Sequence, residues 1–165
     1  MIREAVIADA RAIAEIIVAA WRTAYEGLID SSYPLSITAD RFVRIMELNI
    51  GNSLETIFLY EREGVPVGFV SGTHREGPYD CEVVGLYVHP GYQECGIGGA
   101  LLGSIMERFR LEGRKRMIIW TLRGARYNPF YVRHGGRADE AKEIEIGEAC
   151  YPGAGFVFGL YGPHG

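Results

Sequence analysis

Cysteine is scarce in this chain of 165 residues: Cys81, Cys95 and Cys150 are odd in number, far apart and form no C-x-x-C pair. Neither a disulfide framework nor a zinc cluster follows from that spacing, and a reducing, cytoplasmic setting is expected. No run approaches the roughly 18 apolar residues that suggest a membrane-spanning helix, and the opening MIREAVIADA lacks a basic stretch followed by an apolar one, so neither membrane nor export is expected. His74, His89, His134 and His164 have no metal-ligand spacing to one another or to a cysteine, and no G-x-S-x-G elbow exists; metal and serine-hydrolase chemistry are not expected. A net charge of −4 argues against nucleic acid as an obligate partner.

What the chain does have is ordinary globular composition, 48% hydrophobic and 23% charged, which excludes disorder, collagen and coiled coil. Its length predicts a single domain over 1–165, long enough to bury roughly 70% of its unfolded surface without staples. Charge is uneven. Arg108 to Arg137 carries nine basic residues against one acid, Glu112, a local +8 that leaves −12 for the rest of a chain totalling −4. A solvated helix face is the plain explanation, and an anionic small-molecule ligand the sharper one, since arginine favours phosphate geometry.

Asp9 followed by Ile13, Ile16, Ile17, Ala20, Trp21 and Ala24 predicts a first helix with Asp9 as its N-cap. After a polar stretch containing Pro34, the spacing of Phe42, Ile45, Met46 and Asn49 predicts a second, ending at Gly51. Leu54–Tyr60, Val65–Thr73 and Cys81–Val88 read as three antiparallel strands. A helix over Gly96–Gly113, a strand at Met117–Leu122, a short helix capped by Asn128 ahead of Pro129, and strands near Ala138–Gly147 and Gly155–Tyr161 complete a β α α β β β α β α β β order.

The segment with chemical content is Glu82-Val83-Val84-Gly85-Leu86-Tyr87-Val88-His89-Pro90, followed by Gly91-Tyr92-Gln93-Glu94-Cys95-Gly96-Ile97-Gly98-Gly99. A strand there runs into a glycine loop that opens a helix, where unpaired amides and the helix dipole favour an anion. The loop is not a Walker loop, because Ala100 follows the glycines where G-K-[ST] is needed. Nor is it a dinucleotide fingerprint, whose last glycine is Leu101 here. Gln93-x-x-Gly96-x-Gly98, preceded by a strand ending Leu-x-Val-x-Pro and a glutamate four residues before that leucine, and followed by Phe130-Tyr131 and a glycine pair, resembles the GNAT superfamily of N-acetyltransferases. The element order is similar too. The resemblance implies an α/β fold of the α+β type, with a central mixed, mostly antiparallel sheet of six to seven strands flanked by four helices.

It also implies an enzyme that moves the acetyl group of acetyl-CoA to a small amine or a peptide N-terminus in a ternary complex; the other function carried by such a fold is a silent acetyl-CoA sensor. Amides of Glu94, Cys95, Gly96, Ile97, Gly98 and Gly99 beside Gln93 would hold the pyrophosphate, and the backbone of Leu86, Tyr87 and Val88 would pair with pantetheine. Glu82 is the expected base, reached through water and placed by period two on the same face as Leu86. The Leu86 N–H is the expected oxyanion donor, given a bulge there that Gly85 favours. Tyr131 is the expected acid. Family members often carry an asparagine seven residues before this tyrosine; here the position is Gly124, and Asn128 is the nearest candidate contact. Trp21, Tyr25 and Glu26 are expected to wall the acceptor site. The acids Asp139, Glu140, Glu143, Glu145 and Glu148 suit either steering of a cationic amine or a wet strand face. The apolar Phe156-Val157-Phe158 strand is available for pairing across a two-fold axis in a homodimer.

Overall fold

The computed structural model describes residues 1–30, 32–33 and 37–161; Pro34, in the polar stretch after the first helix, lies outside them. Seven strands form one sheet in the order β1-β2-β3-β4-β5-β7-β6. They are β1 (Ile2–Glu4), β2 (Thr56–Arg62), β3 (Val65–His74), β4 (Cys81–Val88), β5 (Arg116–Leu122), β6 (Arg137–Ile146) and β7 (Ala149–Gly159). All neighbours are antiparallel except β4 and β5. Among the described residues four α-helices, α1 (Ala10–Ala24), α2 (Ala39–Gly51), α3 (Ile97–Leu111) and α4 (Asn128–Arg133), flank the sheet.

Side-chain parity splits the core between the two faces. On one, Leu101, Ile105 and Phe109 of α3 pack against Val70, Val83, Met117 and Phe158. On the other, Ile13, Ile17 and Met46 of α1 and α2 cover Ile57, Leu59 and Phe69. The first face demands glycine at position 72, where a Cβ would stand 2.6 Å from the Phe109 ring.

Three expectations are corrected. Asp9 does not cap α1 with its side chain; it accepts instead from the Val6 amide at 2.7 Å and from both terminal nitrogens of Arg3 at 2.8 Å, because it already belongs to a 3-10 turn, Ile7–Asp9. The last strand begins at Ala149 rather than Gly155 and runs through Pro152. The proline falls one residue past the last β5–β7 ladder pair, Leu122 with Gly153, where its C=O still accepts from the Arg123 N–H at 2.9 Å. Phe156-Val157-Phe158 cannot pair with a second copy, since β7 is bonded on one side to β5 and on the other to β6.

Candidate active site

β4 and β5 are hydrogen-bonded neighbours only from Cys81 to Val83, opposite Met117 to Ile119. Beyond that point β4 continues along β3 and β5 along β7, so the two parallel strands part like a V. The ladder decides which groups look into the gap. The His89 N–H donates to Val67 C=O at 2.8 Å, so the two-residue alternation turns Tyr87 toward β3 and aims the amides and carbonyls of Leu86 and Val88 at the open side. A strand edge presented this way is a template for an extended, amide-containing ligand.

At the wide end of the V the chain turns into α3. Glu94 (φ 62°) and Gly96 (φ 78°) take left-handed backbone as the chain turns into α3, whose first-turn amides precede its first intrahelical bond, from Ala100 N–H to Gly96 C=O at 3.1 Å. Gly98 and Gly99 keep that turn bare: a Cβ on Gly98 would meet Phe130 at 3.4 Å, and one on Gly99 would meet His134 Nε2 at 2.8 Å. Helix α4 thus packs directly on the amide-rich turn. A cavity of ≈ 600 Å³ joins the V to this loop.

The motif glutamine stitches the V together. Gln93 Nε2 donates to Val88 C=O at 3.1 Å, and its Oε1 accepts from Tyr127 O–H at 2.7 Å. The clasp ties the end of β4 to the β5–α4 loop. Nothing in the Gln93 motif points to position 127, so Tyr127 was not legible in the sequence. Cavity-lining Trp120 and Thr121 were missed for a similar reason, since they read only as part of a short apolar strand.

Among the expected site residues, Leu86, Tyr87, Val88, Gln93, Glu94, Gly96, Ile97, Gly98, Gly99, Tyr131 and Tyr25 line the cavity. Cys95 is exposed, its thiol turned to Gln93 C=O at 3.5 Å. Asn128 is neither a cap nor a cavity residue: it accepts from Thr121 Oγ1 at 3.0 Å and donates to Leu122 C=O at 2.9 Å, which holds α4 to the end of β5. Trp21 packs edge-on against Tyr25, ring centroids 4.8 Å apart, and Glu26 is exposed outside the cavity.

The bulge lies earlier than expected. Ser71 pairs with Gly85 and Gly72 with Val83, which leaves Val84 as the extra residue. One inserted residue reverses parity, so Glu82 and Leu86 point to opposite faces, contrary to the period-two expectation. Glu82 shares the α1/α2 face with Thr73 and Ile118, its neighbours in register, and Arg75 Nε binds its carboxylate at 2.6 Å.

Tyr131 enters the cavity from α4, its ring 5.3 Å from Phe156. Burial pushes its phenol well above the ordinary tyrosine range, and nearby Tyr25 adds to the rise. Burial likewise raises Tyr25, against the opposing pull of Thr121 and Tyr87. Both are therefore neutral, proton-bearing groups at neutral pH. The nine-residue basic cluster disperses: Arg108 pairs with Glu4, Arg110 with Glu107 and Arg137 with Asp139. Arg133 remains on the cavity wall, and Arg126 stacks over Tyr127 at 5.6 Å. Among the described residues no cluster of His, Cys, Asp and Glu suits a metal, and no helix is long and apolar enough to cross a membrane.

Comparison with known proteins agrees with this architecture. The Acetyltransferase (GNAT) family model matches residues 14–135. An uncharacterized N-acetyltransferase of Bacillus subtilis (strain 168), YuaI, is 31% identical over 126 residues, covering 73% of this chain and 70% of its own. The fold is shared with the PaiA N-acetyltransferase from Thermoplasma acidophilum, solved with coenzyme A, at a TM-score of 0.77 and 17% identity over 96% of this chain and 98% of that one. It is shared too with yncA of Salmonella typhimurium, a putative acetyltransferase solved with acetyl-CoA, at 0.72 and 21% over 100% and 96%. The chain belongs to the GNAT family of acetyltransferases and is an acetyl-CoA-dependent acyltransferase.

Proposed function

We propose that this single transferase domain moves the acetyl group of acetyl-CoA to a primary amine, of a small molecule or a peptide N-terminus, by direct attack in a ternary complex. The observation that carries the reading is the open Leu86–Val88 edge running into the amide-rich turn of α3 within one cavity. That cavity would supply what the cosubstrate needs: a strand edge for the pantetheine amides, the Glu94–Gly99 turn for the pyrophosphate, and Arg133 for the remaining phosphate, with Arg126 just outside over Tyr127. The Thermoplasma and Salmonella structures of the same fold, solved with coenzyme A and acetyl-CoA, support the choice of cosubstrate.

The Leu86 N–H, free toward the gap, would stabilise the thioester oxyanion. Glu82 faces the α1/α2 side, so the amine would approach from there, past Tyr25 and Trp120, and lose its proton to Glu82 through water. Tyr131 would protonate the departing thiolate; the burial that raises the phenol also raises a thiolate released into the same cavity, which keeps the two within reach of proton exchange. The decisive experiment is free-thiol release from acetyl-CoA against a panel of amines, run beside a thermal shift with acetyl-CoA alone. Release with one amine class, and loss of release in Glu82→Gln with the thermal shift intact, are expected. Absence of any shift would overturn the cosubstrate site; undiminished release in Glu82→Gln would overturn the base.

A further inference from the structure

Arginine supplies almost every cation of this chain. Of its 17 basic residues only two are lysines, Lys115 and Lys142, so only two side chains carry a primary amine able to form a stable acetamide. Their positions differ sharply. Lys115 lies at the far end of β5, just ahead of Arg116, where its backbone amide donates to the Asp80 carboxylate at 2.9 Å and its carbonyl accepts from Leu160. Lys142, on β6, places its ammonium over the ring of Trp120, 4.2 Å from the centroid.

Trp120 occupies a particular point in the sheet. Ile119 is the last β5 residue paired with β4, so Trp120 is the first residue past the apex of the V, and it lines the cavity. Register carries its face outward: Trp120 pairs with Gly155, Gly155 with Glu140, and Gly153, two residues along, with Lys142. Ile118, two residues before Trp120, pairs with Glu82. Glu82, Trp120 and Lys142 therefore stand on one face of the sheet, the α1/α2 face from which the acceptor approaches. Gly155 leaves the room for this arrangement, since a Cβ there would stand 3.0 Å from the indole. The nearest acid on the same face of β6, Glu140, is engaged by the Tyr79 hydroxyl, and among the described residues Lys142 forms no ion pair.

We propose that Lys142 is an acceptor in cis: the chain acetylates its own Lys142 Nζ, the alkylammonium that the fold holds over Trp120 at the apex of the V. The proposal rests on the acetyl-CoA site argued above. In the step, the ammonium gives one proton to Glu82 through water, and the freed Nζ lone pair attacks the acetyl carbonyl carbon. The N–C bond forms, the C–S bond breaks, and the second nitrogen proton ends on the CoA sulfur by way of Tyr131. The products are Nε-acetyl-lysine at position 142, CoA thiol and one proton. Acetylation removes the positive charge over Trp120, so the ring face is left without its cation.

The test uses the full chain incubated with acetyl-CoA, followed by intact mass and peptide mapping, with a thermal shift recorded in parallel. The expected result is a gain of one acetyl group, mapped to Lys142 and absent from Lys115, at a first-order rate independent of protein concentration. Lys142→Arg, which keeps a cation over the ring, should abolish the gain while retaining the thermal shift. Equal labelling of both lysines would overturn the proposal as simple solution chemistry, and a rate rising with protein concentration would overturn transfer in cis. A thermal shift without any acetyl gain would overturn self-acetylation and leave the cosubstrate site standing; no shift would remove the site itself.

Discussion

Tyr131 and Glu82 occupy opposite faces of the sheet near the V, and that separation suits a reaction whose two proton transfers lie on opposite sides of one carbonyl. Tyr131→Phe keeps the ring on Phe156 and removes only the hydroxyl proposed as proton donor. It is expected to lower kcat for thiol release by about 10²-fold, with acetyl-CoA affinity held, the usual scale for an acid–base group; titrating affinity beside turnover checks it. A residue with no part in the chemistry makes the next case. Asp9 is held below the ordinary carboxylate pKa chiefly by its hydrogen bonds from Arg3, with the Val6 amide adding to the effect and burial opposing it. A depressed folded pKa gives stability that is full above the unfolded value of 3.8 and lost as pH falls through the folded one. Asp9→Asn should therefore cost about 1 kcal/mol near neutrality, modest because Arg3 is partly exposed. It should also flatten the drop in Tm below pH 3.8, which thermal melts across an acid series measure.

Elements act here through how they meet. The Tyr127–Gln93–Val88 clasp joins two strands that are diverging, and the carbonyl it holds is one of those aimed into the gap. Tyr127→Phe leaves the ring under Arg126 and removes one hydrogen bond. A coenzyme A affinity weaker by about 2- to 12-fold is expected from a bond worth about 0.5–1.5 kcal/mol, with kcat little changed; calorimetric titration with coenzyme A reads it directly. The contact of α3 with β3 is tighter still. At Gly72 an added methyl would meet Phe109 at 2.6 and 2.9 Å and Ile105 at 3.1 Å, inside a core with no room to give. Gly72→Ala should destabilise the fold by about 1–3 kcal/mol, seen as a lower urea midpoint with an unchanged slope.

At the scale of the whole molecule, the sheet is a ribbon of antiparallel strands broken by one parallel pair, and the break is where the cavity lies. A parallel neighbour requires the chain to leave β4 and return through α3, so the glycine turn at the start of α3 necessarily opens beside the point where β4 and β5 part. Cosubstrate binding and the acceptor approach can then use the two faces of the same opening.

Local patterning was enough to place the helices, most strands, and the Gln93 to Gly99 loop at the start of α3, because periodicity and glycine spacing act over a few residues and survive without knowledge of neighbours. Tyr131 and the Leu86–Val88 edge were legible for the same reason, as parts of short contiguous motifs. The face of Glu82 was not. It depends on one extra residue, Val84, and a bulge is defined by two strands in register rather than by either alone. Asn128 looked like a cap next to Pro129, yet Thr121 and Leu122, brought alongside by β5, claim both ends of its amide. Tyr127, Trp120 and Lys142 carried no signal because their meaning comes from contacts across the sheet. Sequence by itself determined the family, the order of elements and the position of the glycine loop; the tertiary structure decided which side of the sheet each carboxylate, ring and amine faces, since facing is set by register between strands distant in the chain.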